Sequence, residues 1–335
     1  MSFTLKKYTP QGSEQTVSVP ASKSFLNRAL VLSAFSGKKI TLLCGDFSED
    51  TRAMLACLLA LGIPCTSVAG GVEIDGSRSP RHKAELNVMN AGTAARFLTV
   101  ALSFYGGEYT LRAAPQMAKR PMEILRLLEE KGVRFTWLKK EYEFPFVLRS
   151  NGLAQAQEFS VNTDTSTQYA SGLLLAAPLG KSPLRISLTG GRTNGTYIAM
   201  SLKLLQDFGA CYERTGDTVT VYPSLDPPPC YAVEADVSGA CYFFALALLC
   251  SAKIFVRGIR LDSTQSDVQF LRLLEGKGVR FTQRENGLLA DASTVKSFTG
   301  FDADMKDFSD QTLTAAALAP FATTPSVLRG VGHIL

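Results

Sequence analysis

Polar and apolar positions along this chain follow one pattern five times over. A cluster of small polar residues runs into an apolar, small-residue helix at SKSFLNRALVLSAFSG (from Ser22), NAGTAARFLTVALSFYGG (from Asn90), TSTQYASGLLLAAPLG (from Thr165), DVSGACYFFALALLC (from Asp236) and DFSDQTLTAAALAPFA (from Asp307). With Ser24, Thr93, Thr165, Ser238 and Ser309 as equivalent marks, the spacings are 69, 72, 73 and 71 residues. A fixed period of this kind marks a structural repeat. In the first four copies a second helix follows: EDTRAMLACLLALGI, RPMEILRLLEEKGVRF, TYIAMSLKLLQDFGA and SDVQFLRLLEGKGVRF. Each carries leucines at helical spacing and stops at a glycine (Gly62, Gly132, Gly209 or Gly278), as a helix ending in a left-handed residue does. KKITLL, GEYTLRA, LRISLTG and AKIFVRG read as strands between the helices.

The predicted unit is therefore strand–helix–strand–helix plus further strands, an α/β repeat whose first helices pack closely through small residues. In the fifth copy the first helix ends near Phe321 and a strand-like SVLRGVG follows, although an ordinary last helix also fits that segment taken alone. DPPPCY, residues 226–231, is the linker candidate and would split the repeats three and two.

Composition narrows the class. A length of 335 residues allows two domains with real cores. The net charge of +5 is mild and forms no Lys/Arg stripe, which argues against a nucleic-acid partner and suits a small anionic ligand. The 16 uncharged residues from Val237 to Ala252 fall short of the roughly 20 that a membrane span needs. The first residues have no apolar core of a signal peptide. Seven cysteines without CxxC spacing point to a reducing cytoplasm, and two histidines, His82 and His333, argue against a histidine-built metal site. No P-loop, GxGxxG, zinc spacing or Ser/His/Asp arrangement is present, so neither a nucleotide cofactor nor a metal is expected.

Candidate chemistry collects where the first helices begin, because a helix start favours phosphate or carboxylate. Lys23, Ser24 and Arg28 surround the first such start, and Ser24 and Arg28 share a face, so hydroxyl and guanidinium can grip one anion. A serine cap beside two solvated cations explains the same string. Gly92 would let a ligand approach the backbone before Thr93 and Arg96, although a plain capping turn fits as well. Arg120, read as opening the next helix ahead of Pro121, opposes the helix dipole unless an anion is present. Ser166, Thr167 and Gln168 offer three successive hydrogen-bonding groups to a hydroxylated ligand, or a cap with an exposed glutamine. Asp310 reads as a cap or a general base.

The strings PASKSFLNRAL, NAGTAARFLTVAL, PQMAKRP, STQYASGLLLAAPL, YAVEADVSGACYFFALAL, STQSDV and DFSDQTLTAAALAPFA occur in the order seen in the 5-enolpyruvylshikimate-3-phosphate synthases, and the chain resembles that family from about Val19 onward. The resemblance implies the two-domain enolpyruvyl transferase fold of repeated βαβαββ units. A first domain would cover residues 20–229, and residues 1–19 with 230–335 would form an incomplete second domain. It implies metal-independent transfer of the enolpyruvyl group of phosphoenolpyruvate to the 5-hydroxyl of shikimate 3-phosphate, in the cytoplasm, with a monomer expected for a complete chain.

By the same resemblance Lys23, Ser24, Arg28, Ser166, Thr167, Gln168, Asn194 and Asp310 bind shikimate 3-phosphate. Lys23, Gly92, Arg120 and Gln168 meet phosphoenolpyruvate, and Asp310 and Lys23 are catalytic. Several positions depart from the family pattern: Asn194 stands where a serine is usual, and Gly239 and Ser266 replace a serine and a glycine. The family's later Lys-Glu-Ser/Thr-Asp-Arg string, His-Arg pair and lysine are not in this sequence, and roughly ninety residues, including a sixth repeat, are expected to be missing. The alternative readings are a catalytically impaired relative that only binds shikimate 3-phosphate, or a UDP-N-acetylglucosamine enolpyruvyl transferase. The second is opposed by Lys23-Ser24 in place of Lys-Asn, and by the lack of a cysteine between Gln116 and Lys119.

Overall fold

Where small polar residues run into apolar sequence, the chain forms the expected helices, and the glycines behind the second helices take positive φ. At Gly62, Gly132, Gly209 and Gly278 φ is +82°, +92°, +70° and +94°, a conformation that a residue with a Cβ adopts only at a cost. The computed structural model describes residues 13–153 and 157–332. It divides into two compact units, 21–233 and 1–20 with 234–335. In chain order the elements are β1 (Gln15–Val17), α1 (Lys23–Ala34), β2 (Lys39–Leu43), α2 (Glu49–Ala60), β3 (Cys65–Val68) and β4 (Gly71–Asp75). The second repeat holds β5 (Lys83–Asn87), α3 (Gly92–Tyr105), β6 (Gly107–Arg112), α4 (Pro115–Ala118), α5 (Ile124–Glu130), β7 (Arg134–Trp137) and β8 (Phe146–Ser150). The third holds β9 (Gln157–Asn162), α6 (Thr167–Ala176), β10 (Leu184–Thr189), α7 (Thr196–Asp207), β11 (Tyr212–Thr215) and β12 (Thr218–Val221), and β13 (Cys230–Ala232) follows.

Three four-stranded sheets build the larger unit, ordered β13-β2-β4-β3, β5-β6-β8-β7 and β9-β10-β12-β11. Each has one parallel pair, made by the leading strand and the strand after the first helix, and an antiparallel remainder. The strand just upstream of α1, β1, pairs with β14 and so does not lead the first repeat's sheet. Its place is taken by β13, with Cys230 opposite Thr41 and Ala232 opposite Leu43. The DPPPCY segment is thus only partly a connection, and the division into units falls after Val233 rather than inside it.

The core explains the composition of the first helices. From Gly92 to Phe104 every residue of α3 is buried, so this helix lies inside the unit instead of on its surface. It packs against both α1 and α6. At Gly172 a Cβ would stand 3.2 Å from Val100 Cγ2 and 3.5 Å from the Arg96 carbonyl oxygen, so glycine permits the close approach of α6 to α3. The strands between show period-two burial, as in β10 and β2, with one face toward this core.

The smaller unit repeats the design once and begins it again. It contains α8 (Val237–Cys250), β14 (Lys253–Arg257), α9 (Val268–Glu275), β15 (Arg280–Arg284) and β16 (Gly287–Asp291), with β1 supplying the leading strand. Its sheet order is β1-β14-β16-β15. Then come β17 (Asp302–Asp304), a 3-10 turn (Ser309–Gln311), α10 (Thr312–Leu318) and β18 (Val327–Arg329), with β17 and β18 parallel.

One expectation is corrected. Arg120 does not open a helix: α5 starts at Ile124, and Lys119-Arg120-Pro121 is the turn after α4. The Pro121 carbonyl is held there by buried side chains, which fixes the turn without a helix.

Replacing Gly172 by valine forces α3 and α6 apart and is expected to cost about 1–3 kcal/mol of unfolding free energy in urea titrations. Alanine at the same position should cost less, because Val100 needs to yield only a few tenths of an ångström.

Candidate active site

In the larger unit several helices begin with little help from their own side chains. Ser22 ahead of α1, Ala91 ahead of α3 and Gly195 ahead of α7 make no side-chain cap, whereas Ser166 accepts from the Gln168 amide at 3.2 Å. The cap reading of Ser166 therefore holds for its hydroxyl acceptor. Thr167 is half-buried at the start of α6, and its Cγ2 lies 3.8 Å from where a Cβ on Gly195 would stand.

Arg28 is the largest fully buried side chain of the molecule. Its Nε donates to Ser201 Oγ (2.9 Å), Nη1 to the Ser24 carbonyl (2.8 Å), and Nη2 to Ser171 Oγ (3.1 Å) and the Tyr197 carbonyl (3.3 Å). The guanidinium lies 5.2 Å from the Phe97 ring centroid and 5.7 Å from that of Tyr197. Among the described residues it has no carboxylate partner, and burial pushes its pKa down to about 10. A guanidinium carries five N–H donors, so one Nη1 hydrogen is left over. Arg28 meets Ser24 through the serine's backbone carbonyl and not through its hydroxyl. Lys23, exposed one residue earlier, pairs with Asp50 from the first turn of α2 at 3.2 Å.

A second group converges on Gly92. A Cβ placed there would lie 2.9 Å from Arg96 Nη1, 3.2 Å from Arg120 Nη1 and 3.4 Å from Gln168 Oε1. Arg96 is 6% exposed and donates to the Gly92 carbonyl (3.3 Å) and the Pro121 carbonyl (3.1 Å). Tyr169 lies under it at 5.6 Å and donates its own hydroxyl to the Pro121 carbonyl at 2.6 Å. The Arg96 pKa is lowered chiefly by burial, with the Arg120 charge adding to the fall and Tyr169 opposing it. Arg96 Nε and Gln168 Oε1 are buried with no partner among the described residues. Two cations, a free N–H and a free amide oxygen around a bare Cα make a receptor for an anion that also donates a hydrogen bond. The Gly92 and Arg28 groups are joined by Asn27 Nδ2 donating to Thr93 Oγ1 (2.7 Å), and by Gln168 and Ser171 three apart on α6.

Asn194 is exposed and its amide oxygen accepts from Nη2 of Arg214, on β11, at 2.6 Å. His333 lies outside the described residues. Sequence reasoning missed Ser171, Ser201 and Asp50. The first two are hydroxyls in otherwise apolar helical stretches, and that irregularity was the available signal. Asp50 became relevant only when α2 packed beside α1.

In the smaller unit Asp310 is exposed on the 3-10 turn ahead of α10. The buried carboxyl is Asp267, 3% exposed, which accepts from Ser238 Oγ and from Gln311 Nε2 (3.2 Å), while its Oδ1 has no partner among the described residues. Burial raises its pKa to about 6. The bonds from Ser238 and Gln311 oppose that rise, and the charges of Asp310 and Asp236 add to it. Among the described residues no three His, Cys, Asp or Glu side chains group as a metal site requires, and no helix is long and apolar enough to cross a membrane.

The sign of the Asp267 effect follows from linkage. The folded protein holds this proton more tightly than the unfolded chain does, so the stabilisation is complete below about pH 4 and is lost as pH rises through about 6. Asp267→Asn should therefore gain stability over the parent protein as pH rises from 4 to 7, by on the order of 2–3 kcal/mol. Parallel denaturation curves across that range check this.

The comparisons agree with the geometry. The family model for EPSP synthase (3-phosphoshikimate 1-carboxyvinyltransferase) matches residues 8–335. The protein named 3-phosphoshikimate 1-carboxyvinyltransferase 2 of Halalkalibacterium halodurans is 34% identical, with 95% of this chain and 72% of the relative covered. The 3-phosphoshikimate 1-carboxyvinyltransferase of Nostoc punctiforme is 33% identical, over 96% and 76%. Among solved structures, the EPSP synthase of Acinetobacter baumannii shares the fold with a TM-score of 0.78 at 19% identity, covering 96% of this chain and 74% of that one. Four repeats and the start of a fifth, helix starts that gather guanidinium groups, and this breadth of match have one explanation: the chain belongs to the EPSP synthase family.

Proposed function

We propose that this chain transfers the enolpyruvyl group of phosphoenolpyruvate to the 5-hydroxyl of shikimate 3-phosphate and releases phosphate, a step toward chorismate and the aromatic amino acids. The observation that carries the reading is the ring of groups around Gly92, where two guanidiniums and an unpaired amide oxygen stand within 3.4 Å of one missing side chain. In this reading Arg120, Gln168 and the Gly92 backbone take phosphoenolpyruvate. Shikimate 3-phosphate is taken by Lys23, Ser24, Ser166, Thr167, Gln168 and the remaining Nη1 hydrogen of Arg28. Asn194 is assigned no contact, since Arg214 takes its amide oxygen.

The hydroxyl oxygen of the acceptor bonds to C2 of phosphoenolpyruvate as a proton adds to C3. A proton then leaves C3 and phosphate leaves C2, restoring the vinyl group. Asp310, which matches the family's aspartate, is assigned the hydroxyl proton, and Lys23 is assigned the charge growing on the departing phosphate. Seven free cysteines fit a reducing compartment, and we place the protein in the cytoplasm.

Phosphate release from phosphoenolpyruvate that depends on shikimate 3-phosphate is the expected result. Tight binding of shikimate 3-phosphate with no release would instead support the binding-only reading. Gly92→Ala puts a methyl group against Arg96 and Arg120 and should raise the KM for phosphoenolpyruvate about tenfold or more, as loss of one charge-assisted contact does. Calorimetric affinity for shikimate 3-phosphate should change little. Lys23→Ala should weaken both substrates while leaving unfolding free energy within about 1 kcal/mol, because its ion pair with Asp50 is solvent-exposed.

A further inference from the structure

The buried carboxyl of Asp267 belongs to none of the roles assigned above, yet it lies where α8 meets the turn that carries Asp310. Asp267 immediately precedes α9. It receives Ser238 Oγ from the first turn of α8 and Gln311 Nε2 from the residue after Asp310, both on the same oxygen, Oδ2. Gln311 is itself 1% exposed, also donates to the Ser238 carbonyl at 3.4 Å, and accepts from Thr314 Oγ1 at 3.0 Å. On the other side Cys241 Sγ, one turn into α8, reaches the Asp267 carbonyl at 3.7 Å. The turn Ser309–Gln311 has no side-chain cap of its own. Beside the backbone bond from Gln311 N–H to the Phe308 carbonyl (3.0 Å), its side-chain tether is the Gln311 amide, anchored at both its oxygen and its nitrogen.

We propose that Asp267 is a positioning residue for Asp310: through Gln311 it pins the short turn to the start of α8 and so holds the Asp310 carboxylate in one place. The proposal rests on the reading of Asp310 as the group that takes the hydroxyl proton. A short exposed turn without this link samples several positions, and a displacement of about 1 Å at a proton acceptor is enough to lower kcat about a hundredfold. Burying a carboxyl beside Asp310 and Asp236 disfavours its charged form, which is a cost that packing alone would avoid with an apolar residue. A hydrogen-bonded anchor, by contrast, requires an acceptor at this point.

Because both bonds fall on one oxygen, asparagine preserves the link and alanine removes it. Asp267→Asn should keep kcat within about threefold of the parent. Asp267→Ala and Gln311→Ala should each lower kcat about tenfold to a hundredfold, with the KM of both substrates changed less than about threefold. The two alanine changes together should be no worse than either alone, since they cut the same link, and neither should slow Asp310→Asn further.

Hydrogen exchange supplies a readout independent of turnover. Amides 310–312 should lose protection in Asp267→Ala and Gln311→Ala but not in Asp267→Asn, while amides of β14 stay as they were. Unchanged protection at 310–312 in both folded alanine variants overturns the proposal, as does parental kcat in both. Parental kcat in Asp310→Asn would instead overturn the assignment of the proton to Asp310, and the exchange result would still decide whether Asp267 holds the turn. Gln311→Ala tests the far end of the link should Asp267→Ala fail to fold.

Discussion

Two guanidinium groups sit inside the larger unit without a carboxylate partner among the described residues, and much of its construction answers that fact. Taking an arginine out of water costs several kcal/mol unless its donors and its charge are met. At Arg28 the donors are met by neutral oxygens, two hydroxyls and two carbonyls, drawn from α1, α6 and α7. At Arg96 they are met by two carbonyls and the face of Tyr169. Most donors are met in this way, but one Nη1 hydrogen of Arg28 and the buried Nε of Arg96 are not, and neither charge has an anionic partner among the described residues. An apolar core would have given more stability without leaving these charges unpaired.

The repeat makes this arrangement possible. Each copy places a small-residue helix inside the unit, and glycine at 92 and 172 lets backbone, guanidinium and neighbouring helix come within contact of one another. Arg96 also ties the turn bearing Arg120 in place through Pro121, aided by the Tyr169 hydroxyl. One buried side chain therefore shapes the helix start and the loop opposite it. The smaller unit uses the same scaffold with the opposite charge: a buried carboxyl, Asp267, binds the start of α8 to the turn before α10.

Membership of the EPSP synthase family gives these features a common chemistry. Phosphoenolpyruvate carries both phosphate and carboxylate, and shikimate 3-phosphate carries both as well as hydroxyls. Cations with unfilled donors, and hydroxyl and amide side chains beside them, match that inventory.

The order of elements was legible in the sequence because it depends on local periodicity and on glycine. The spacing from Ser24 to Ser309, the glycine stops at 62, 132, 209 and 278, and the strands at 39–43, 107–112, 184–189 and 253–257 are visible in the string and recur in the fold. Gly92, Arg120 and Gln168 were nameable from their strings, but their approach to one point was not, since they lie on three separate elements. Nor could the sequence show that β13 completes the first sheet, that Arg28 turns inward to Ser171 and Ser201, or that Asp267 is buried beneath Asp310's turn. Each of those depends on contacts between residues far apart in the chain. Local propensity fixes helices and turns, whereas which polar side chains are buried, and against what, is decided only when the helices pack.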